Sequence, residues 1–270
     1  MIEPIHAVLL GVLEGLTEFL PISSTGHLIL ASRVLQLRGD AVKTFEVVIQ
    51  AGALGAVAGL YRARVVSMWR ALRGGNPSGR RLLENLLISF LPAAVVGALL
   101  HHAIKAALFS LWPVVAALAV GGVVMIVVDR WLRNVRVSSE TSLDSITRTE
   151  ALVIGAAQCL AFWPGTSRAM VTIVAGLLLG LPAAVAAEYS FLLALPTLGA
   201  ATFFDAARGG PVFVQQIGWL SLVCGFVAAS VTAAVAIRGF LRYLTHRGLA
   251  PFGWYRLGLA ALVWMCVPHP

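Results

Sequence analysis

Apolar residues run in long blocks along this chain, over 47–60, 86–100, 114–128, 186–204, 220–237 and 257–267. With their flanks, several reach the ~20 residues that a helix needs to cross a bilayer. They predict spans near 43–61, 82–101, 111–129, 187–204, 216–237 and 252–268. Two further segments, 4–35 and 150–182, are interrupted by Pro21 and by Pro164-Gly165. Proline removes a helical hydrogen bond. At membrane depth such a break is tolerated only where the backbone is buried in protein or lines a polar cavity. Each broken segment is therefore expected to enter and leave the membrane from one side. The predicted fold class is all-α: a polytopic membrane protein of about six transmembrane helices plus two broken, re-entrant helix pairs.

Composition agrees with that pattern. Of 270 residues, 59% are hydrophobic and 12% are charged, against roughly 25% charged in a soluble domain. The formal charge of +8 raises nucleic acid as a partner, but the placement of the charges excludes it. Arg62, Arg64, Arg70, Arg73, Arg80 and Arg81 share one connection; Arg130, Arg133, Arg136 and Arg148 a second; Arg238, Arg242, Arg247 and Arg256 a third. The remaining connections carry only Arg38, Lys43, Lys105 and Arg208. This asymmetry puts the three arginine-rich connections in the cytoplasm, with Arg256 just inside the last span. Cys159, Cys224 and Cys266 are an odd, scattered set in apolar surroundings and read as buried, inert thiols. The start of the chain has no basic region ahead of its first apolar segment, so that segment is expected to remain in the mature protein.

The two halves also resemble each other. A shift of 144 residues pairs Ala7 with Ala151, Gly11 with Gly155, Glu14 with Gln158, Phe45 with Tyr189 and Gly55 with Gly199. Pro21 and Pro164 are 143 apart, which places a one-residue adjustment in the broken loop. The pattern reads as an inverted-topology repeat, with halves of roughly 1–129 and 150–270 joined by a cytoplasmic loop at 130–149. Such repeats place a site near the midplane, where the broken helices meet.

The ionisable groups fall in those breaks, and at membrane depth such groups mark function. Glu14 and Glu18 share a helix face, so their mutual repulsion calls for a cation, a proton or an arginine. Oxygen ligands suit Mg²⁺ or Ca²⁺. A helix restarting after Pro21 offers unpaired backbone amides together with Ser23, Ser24, Thr25 and Gly26, which suits an anion. Ser24 and His27 are one helical turn apart, the spacing of a serine with its activating base. In the second break, Arg168 follows Thr166 and Ser167 and precedes Thr172, and a guanidinium beside hydroxyls suits phosphate. If the breaks meet, the set suits metal-assisted phosphoryl chemistry. A carrier of an anionic or prenyl-phosphate lipid, built on the same broken helices, is the alternative.

The strings from Glu14 to His27 and from Pro164 to Arg168 resemble the two signature motifs of the bacterial undecaprenyl-diphosphate phosphatases, the bacitracin-resistance family. The segments 44–50 and 190–193 also fit. The resemblance implies a multi-pass hydrolase of the bacterial inner membrane. Such an enzyme removes the terminal phosphate of undecaprenyl diphosphate, requires a divalent cation and supplies the lipid carrier for peptidoglycan. By the same resemblance, Glu14 and Glu18 match the acidic motif, and Ser24 and His27 the proposed nucleophile and its partner. Ser23, Thr25, Ser167 and Arg168 match the phosphate-binding groups, to which Gly26, Thr166 and Thr172 are added. A site facing the periplasm and a homodimer are further expectations. One departure stands out: the family commonly continues its second motif with Ser-Gly-Ala-Thr, where this chain has Ala169-Met170-Val171-Thr172.

Overall fold

A computed structural model describes residues 2–37, 39–108, 111–132, 142–209 and 217–266. The charges expected at Arg38, Arg133 and Arg136 lie outside them, as do the side chains of Lys43, Lys105 and Arg208. The described residues form helices joined by turns and short loops, with no strand among them. The helices are α1 (Pro4–Thr17), α2 (Ser24–Val34), α3 (Asp40–Leu60), α4 (Arg62–Ala71), α5 (Pro77–Leu108), α6 (Leu111–Leu132), α7 (Arg148–Gln158), α8 (Arg168–Leu178), α9 (Ala183–Gly209), α10 (Trp219–Leu244) and α11 (Ala250–Cys266). Helices α3, α5, α6, α9, α10 and α11 occupy the six expected spans. Within α5, α6, α9 and α10, the stretches Pro77–Leu99, Leu111–Leu132, Ala183–Phe204 and Trp219–Leu244 are long and apolar enough to cross a membrane. The remaining two are shorter: α3 contributes the apolar run Phe45–Leu60, and α11 has 17 residues. The connection at 62–81 contains a helix that the charge pattern did not suggest. Helix α4 buries Met68 and Ala71 while exposing Trp69, Arg62 and Arg70.

The two broken segments fold as the helix pairs α1–α2 and α7–α8. Their starts obey the 144-residue shift, Pro4 with Arg148 and Ser24 with Arg168, and α2 and α8 each have 11 residues. Each pair packs on the long helix of the other half, α1 along α10 and α7 along α5. Matched small residues permit these crossings. A side chain at Gly11 would meet the carbonyl of Gly225, and one at Gly155 would meet the backbone of Ser89. Gly15 lies one turn beyond Gly11 and faces Thr232 and the Ala229 carbonyl. Gly15→Val is therefore expected to force α1 off α10 and to cost about 1–3 kcal/mol, read as a lowered melting temperature of the purified protein in detergent.

The arginine-rich connections gather at one end. Arg64 reaches Asp144 at 3.2 Å, Ser78 donates to the same carboxylate at 2.7 Å, and Glu84 bridges Arg80 and Arg148. The Ser78 hydrogen bond, then the Arg64 charge, hold the Asp144 carboxyl below its usual range. In the third connection the Leu249 amide donates to Asp129 at the end of α6. Two expectations fail here. Cys159 and Cys224 are half-buried and Cys266 is exposed, because they sit on outer helix faces rather than in the core. Arg256 does not belong to the basic end at all: it is completely buried.

Candidate active site

Helix α1 ends where Glu18 caps it, and α2 starts six residues later. Between them Ser23 takes φ +74°, and in the second break Ser167 takes φ +73°. Only these two serines and Gln36 are non-glycine residues with positive φ among the described residues. The left-handed region costs a residue with a side chain of order 1–3 kcal/mol. It recurs at matched positions, and there it turns the chain straight into a new helix. Each serine then caps that helix: Ser23 Oγ accepts from the Gly26 amide at 3.3 Å and Ser167 Oγ from the Met170 amide at 3.2 Å. Each hydroxyl keeps its own proton to donate. The serines are 144 apart, so the register slip expected from the prolines is confined to the residues ahead of them.

The reversal at Ser23 points Ser24 back along α1. Its hydroxyl donates to Glu18 Oε2 at 2.5 Å. The other oxygen, Oε1, accepts from Arg168 Nη2 at 3.0 Å. The pair is buried, with the two side chains 8% and 6% exposed, so the breaks meet through one ion pair across 150 residues of sequence. Arg168 is held from behind, where Nη1 donates to the Ser190 carbonyl at 2.7 Å and to its hydroxyl at 3.3 Å. The guanidinium also lies over the Phe19 ring. Two buried atoms at this junction lack a partner: Glu14 Oε2, an acceptor, and Arg168 Nε, a donor.

The structure thus joins Glu18, Ser24 and Arg168, with Glu14 one turn before Glu18 on the same helix. It does not join Ser24 to His27. His27 Nδ1 lies 2.7 Å from the Ser23 carbonyl, which only accepts, so the neutral ring carries its proton there. Nε2 then accepts from the Tyr255 hydroxyl at 2.7 Å, and the two rings stack. One turn of helix makes Ser24 and His27 neighbours, but the left-handed turn aims the hydroxyl at Glu18 and leaves the Ser23 carbonyl for the imidazole. Thr172 also departs from its expected place. It is buried and its hydroxyl bonds with Ser190 at 2.7 Å, so it supports the residue that holds Arg168. Ala169 is wholly buried under the turn, where a hydroxyl would have no water. Thr25 is exposed, and Thr166 and Ser167 are half-buried on the second turn.

For a divalent cation, no three His, Cys, Asp or Glu side chains gather among the described residues. The carboxylates of Glu14 and Glu18 fit a cation that takes its remaining ligands from a bound phosphate, as Mg²⁺ commonly does. The unpaired Oε2 of Glu14 is the atom that asks for it.

Sequence reasoning missed Tyr255 and Arg256. The signal for the second was a charge inside the boundary of a span, which was counted with the basic connections.

The family model of the bacitracin resistance protein BacA matches residues 7–262. The undecaprenyl-diphosphatase of Sorangium cellulosum is 52% identical over 258 residues, covering 95% of this chain and 84% of that protein. Those of Nitrosomonas europaea and Methylococcus capsulatus are 46% and 44% identical over 260 residues, each covering 96% of this chain and 93% of the relative.

Proposed function

This chain belongs to the bacitracin resistance protein BacA family, and on that footing we propose that it hydrolyses undecaprenyl diphosphate to undecaprenyl phosphate and inorganic phosphate. The lipid carrier for peptidoglycan is thereby returned to use. The observation that carries this reading is the hydrogen-bonded chain Ser24–Glu18–Arg168, with its ion pair buried, flanked by an unpaired acceptor on Glu14 and an unpaired donor on Arg168.

The residues divide the work as follows. Arg168 Nε and the free hydroxyl protons of Ser23 and Ser167 hold oxygens of the terminal phosphate, helped by the first-turn amides of α2 and α8. Glu18 Oε2 takes the Ser24 proton as Oγ bonds to the terminal phosphorus. The bridging P–O bond breaks, and its electron pair leaves on undecaprenyl phosphate. Water then displaces the serine, Glu18 returns the proton to Oγ, and phosphate departs with the protons of the water. Arg168 keeps Glu18 oriented for the first step. Glu14 and Glu18 would hold Mg²⁺ or Ca²⁺, which when bound neutralises charge on the diphosphate. Catalysis is then chiefly positioning and charge stabilisation, the usual basis of phosphoryl transfer.

The arginine-rich end faces the cytoplasm by charge asymmetry. The pair α1–α2 then enters from the opposite face, and the site opens to the periplasmic side of the inner membrane. Phosphate release from undecaprenyl diphosphate by the purified protein in detergent tests the function, because micelles abolish vectorial transport and leave hydrolysis intact. Activity is expected with Mg²⁺ or Ca²⁺ and should fall at least ~10-fold on chelation with EDTA. A folded protein that releases no phosphate with either metal would overturn the reading and favour a lipid carrier.

A further inference from the structure

Arg256, on α11, is 0% exposed. A guanidinium has five N–H donors, and here every one is used on a backbone carbonyl. Nε donates to Leu118 at 3.2 Å; Nη1 to Pro21 at 3.2 Å and Thr166 at 2.9 Å; Nη2 to Ala117 at 2.9 Å and Gly165 at 2.8 Å. These carbonyls belong to three separate parts of the chain: α6, the first break and the second break. Three of them lie within two residues of the left-handed serines that cap α2 and α8, Pro21 before Ser23 and Gly165 and Thr166 before Ser167. Gly121 on α6 makes room, since a methyl group there would collide with Arg256 Nη2 and Cζ.

We propose that Arg256 is a positioning residue for the hydrolysis, a fork that fixes the first re-entrant turn against the second. The ion pair between Glu18 and Arg168 is one long-range tie between the turns, and it must share its atoms with substrate. Arg256 ties the backbone behind each turn and shares nothing with substrate. It therefore sets the separation of Ser24 from Arg168 before and during turnover. Shape rather than charge is what the site needs from it. Lysine retains the charge, but it has three donors on a tetrahedral head and cannot span Pro21, Gly165 and Thr166 together with two carbonyls of α6.

The inference rests on the hydrolase reading, and two readouts keep them apart. The first is phosphate release by R256K and G121A in detergent; the second is amide hydrogen exchange over 20–26, 163–168 and, as a reference, 82–90 of α5. G121A retains Arg256 and displaces its fork, so it stands in if R256K does not fold. Misplacement by about 1 Å costs about 10²-fold. Each variant should therefore lose about that much in kcat with KM changed less than about threefold. Exchange should quicken in both turns together while α5 stays protected. Restoration of kcat to within about threefold by lysine would show that charge suffices and overturn the proposal. Faster exchange in one turn alone, or throughout the protein in step with a lowered melting temperature, would also overturn it. If the wild type releases no phosphate, the hydrolase reading fails, while the exchange data still decide whether Arg256 holds the turns.

Discussion

Ser24→Ala is expected to lower phosphate release by on the order of 10⁶-fold, the scale of losing a nucleophile that acts as one unit with its base. The hydroxyl is small and half-buried, and its partner Glu18 keeps the ion pair with Arg168, so the fold should hold. The variant therefore reads chemistry with little confusion from stability. Labelled substrate should trap phosphate on the wild-type protein at Ser24 and leave the alanine variant unlabelled. Near-normal turnover in Ser24→Ala, with no phosphoserine in the wild type, would show that water attacks directly. Glu18 would then act on that water.

Arg168→Lys should cost about 10²–10³-fold in kcat, the usual loss when one preorganised donor to a developing oxyanion is removed. Lysine keeps the charge but cannot hold Glu18 with one nitrogen, Ser190 with another and a phosphate oxygen with a third in one plane. Arg168→Met should be worse and also unstable. It leaves the Glu18 carboxylate buried without its cation, a defect worth about 3–5 kcal/mol. Steady-state kinetics with a melting curve for each variant separate the two effects. An active Arg168→Met protein would remove the guanidinium from the mechanism.

Much of this architecture is written in linear patterns. Span positions follow from apolar blocks, because a bilayer selects for length and hydropathy with little regard to tertiary detail. The re-entrant pairs follow from Pro21 and Pro164-Gly165. Gly11 and Gly155, 144 residues apart, do the same job because each must let another helix's backbone come close. Helix α4 was hidden by its six-arginine neighbourhood, where charge masks a short amphipathic face.

The site was legible as an inventory and illegible as a wiring diagram. Glu14, Glu18, Ser24, His27 and Arg168 stand out because ionisable groups are costly in an apolar chain. Their partners do not stand out. Helical spacing put Ser24 beside His27, and that rule holds only inside a helix; Ser24 is the first residue of one, immediately after a left-handed serine whose conformation no periodicity reports. Arg256 looked like a boundary charge because its five acceptors are carbonyls, which every residue possesses and no sequence distinguishes. The sequence by itself determined the membrane class, the two breaks and the residues able to do phosphoryl chemistry, since those depend on composition and local order. Only the tertiary structure decided that Glu18 faces Ser24, that His27 answers to Tyr255 and that Arg256 clamps both turns, because each of those depends on where a backbone reversal aims a group and on what another part of the chain brings to meet it.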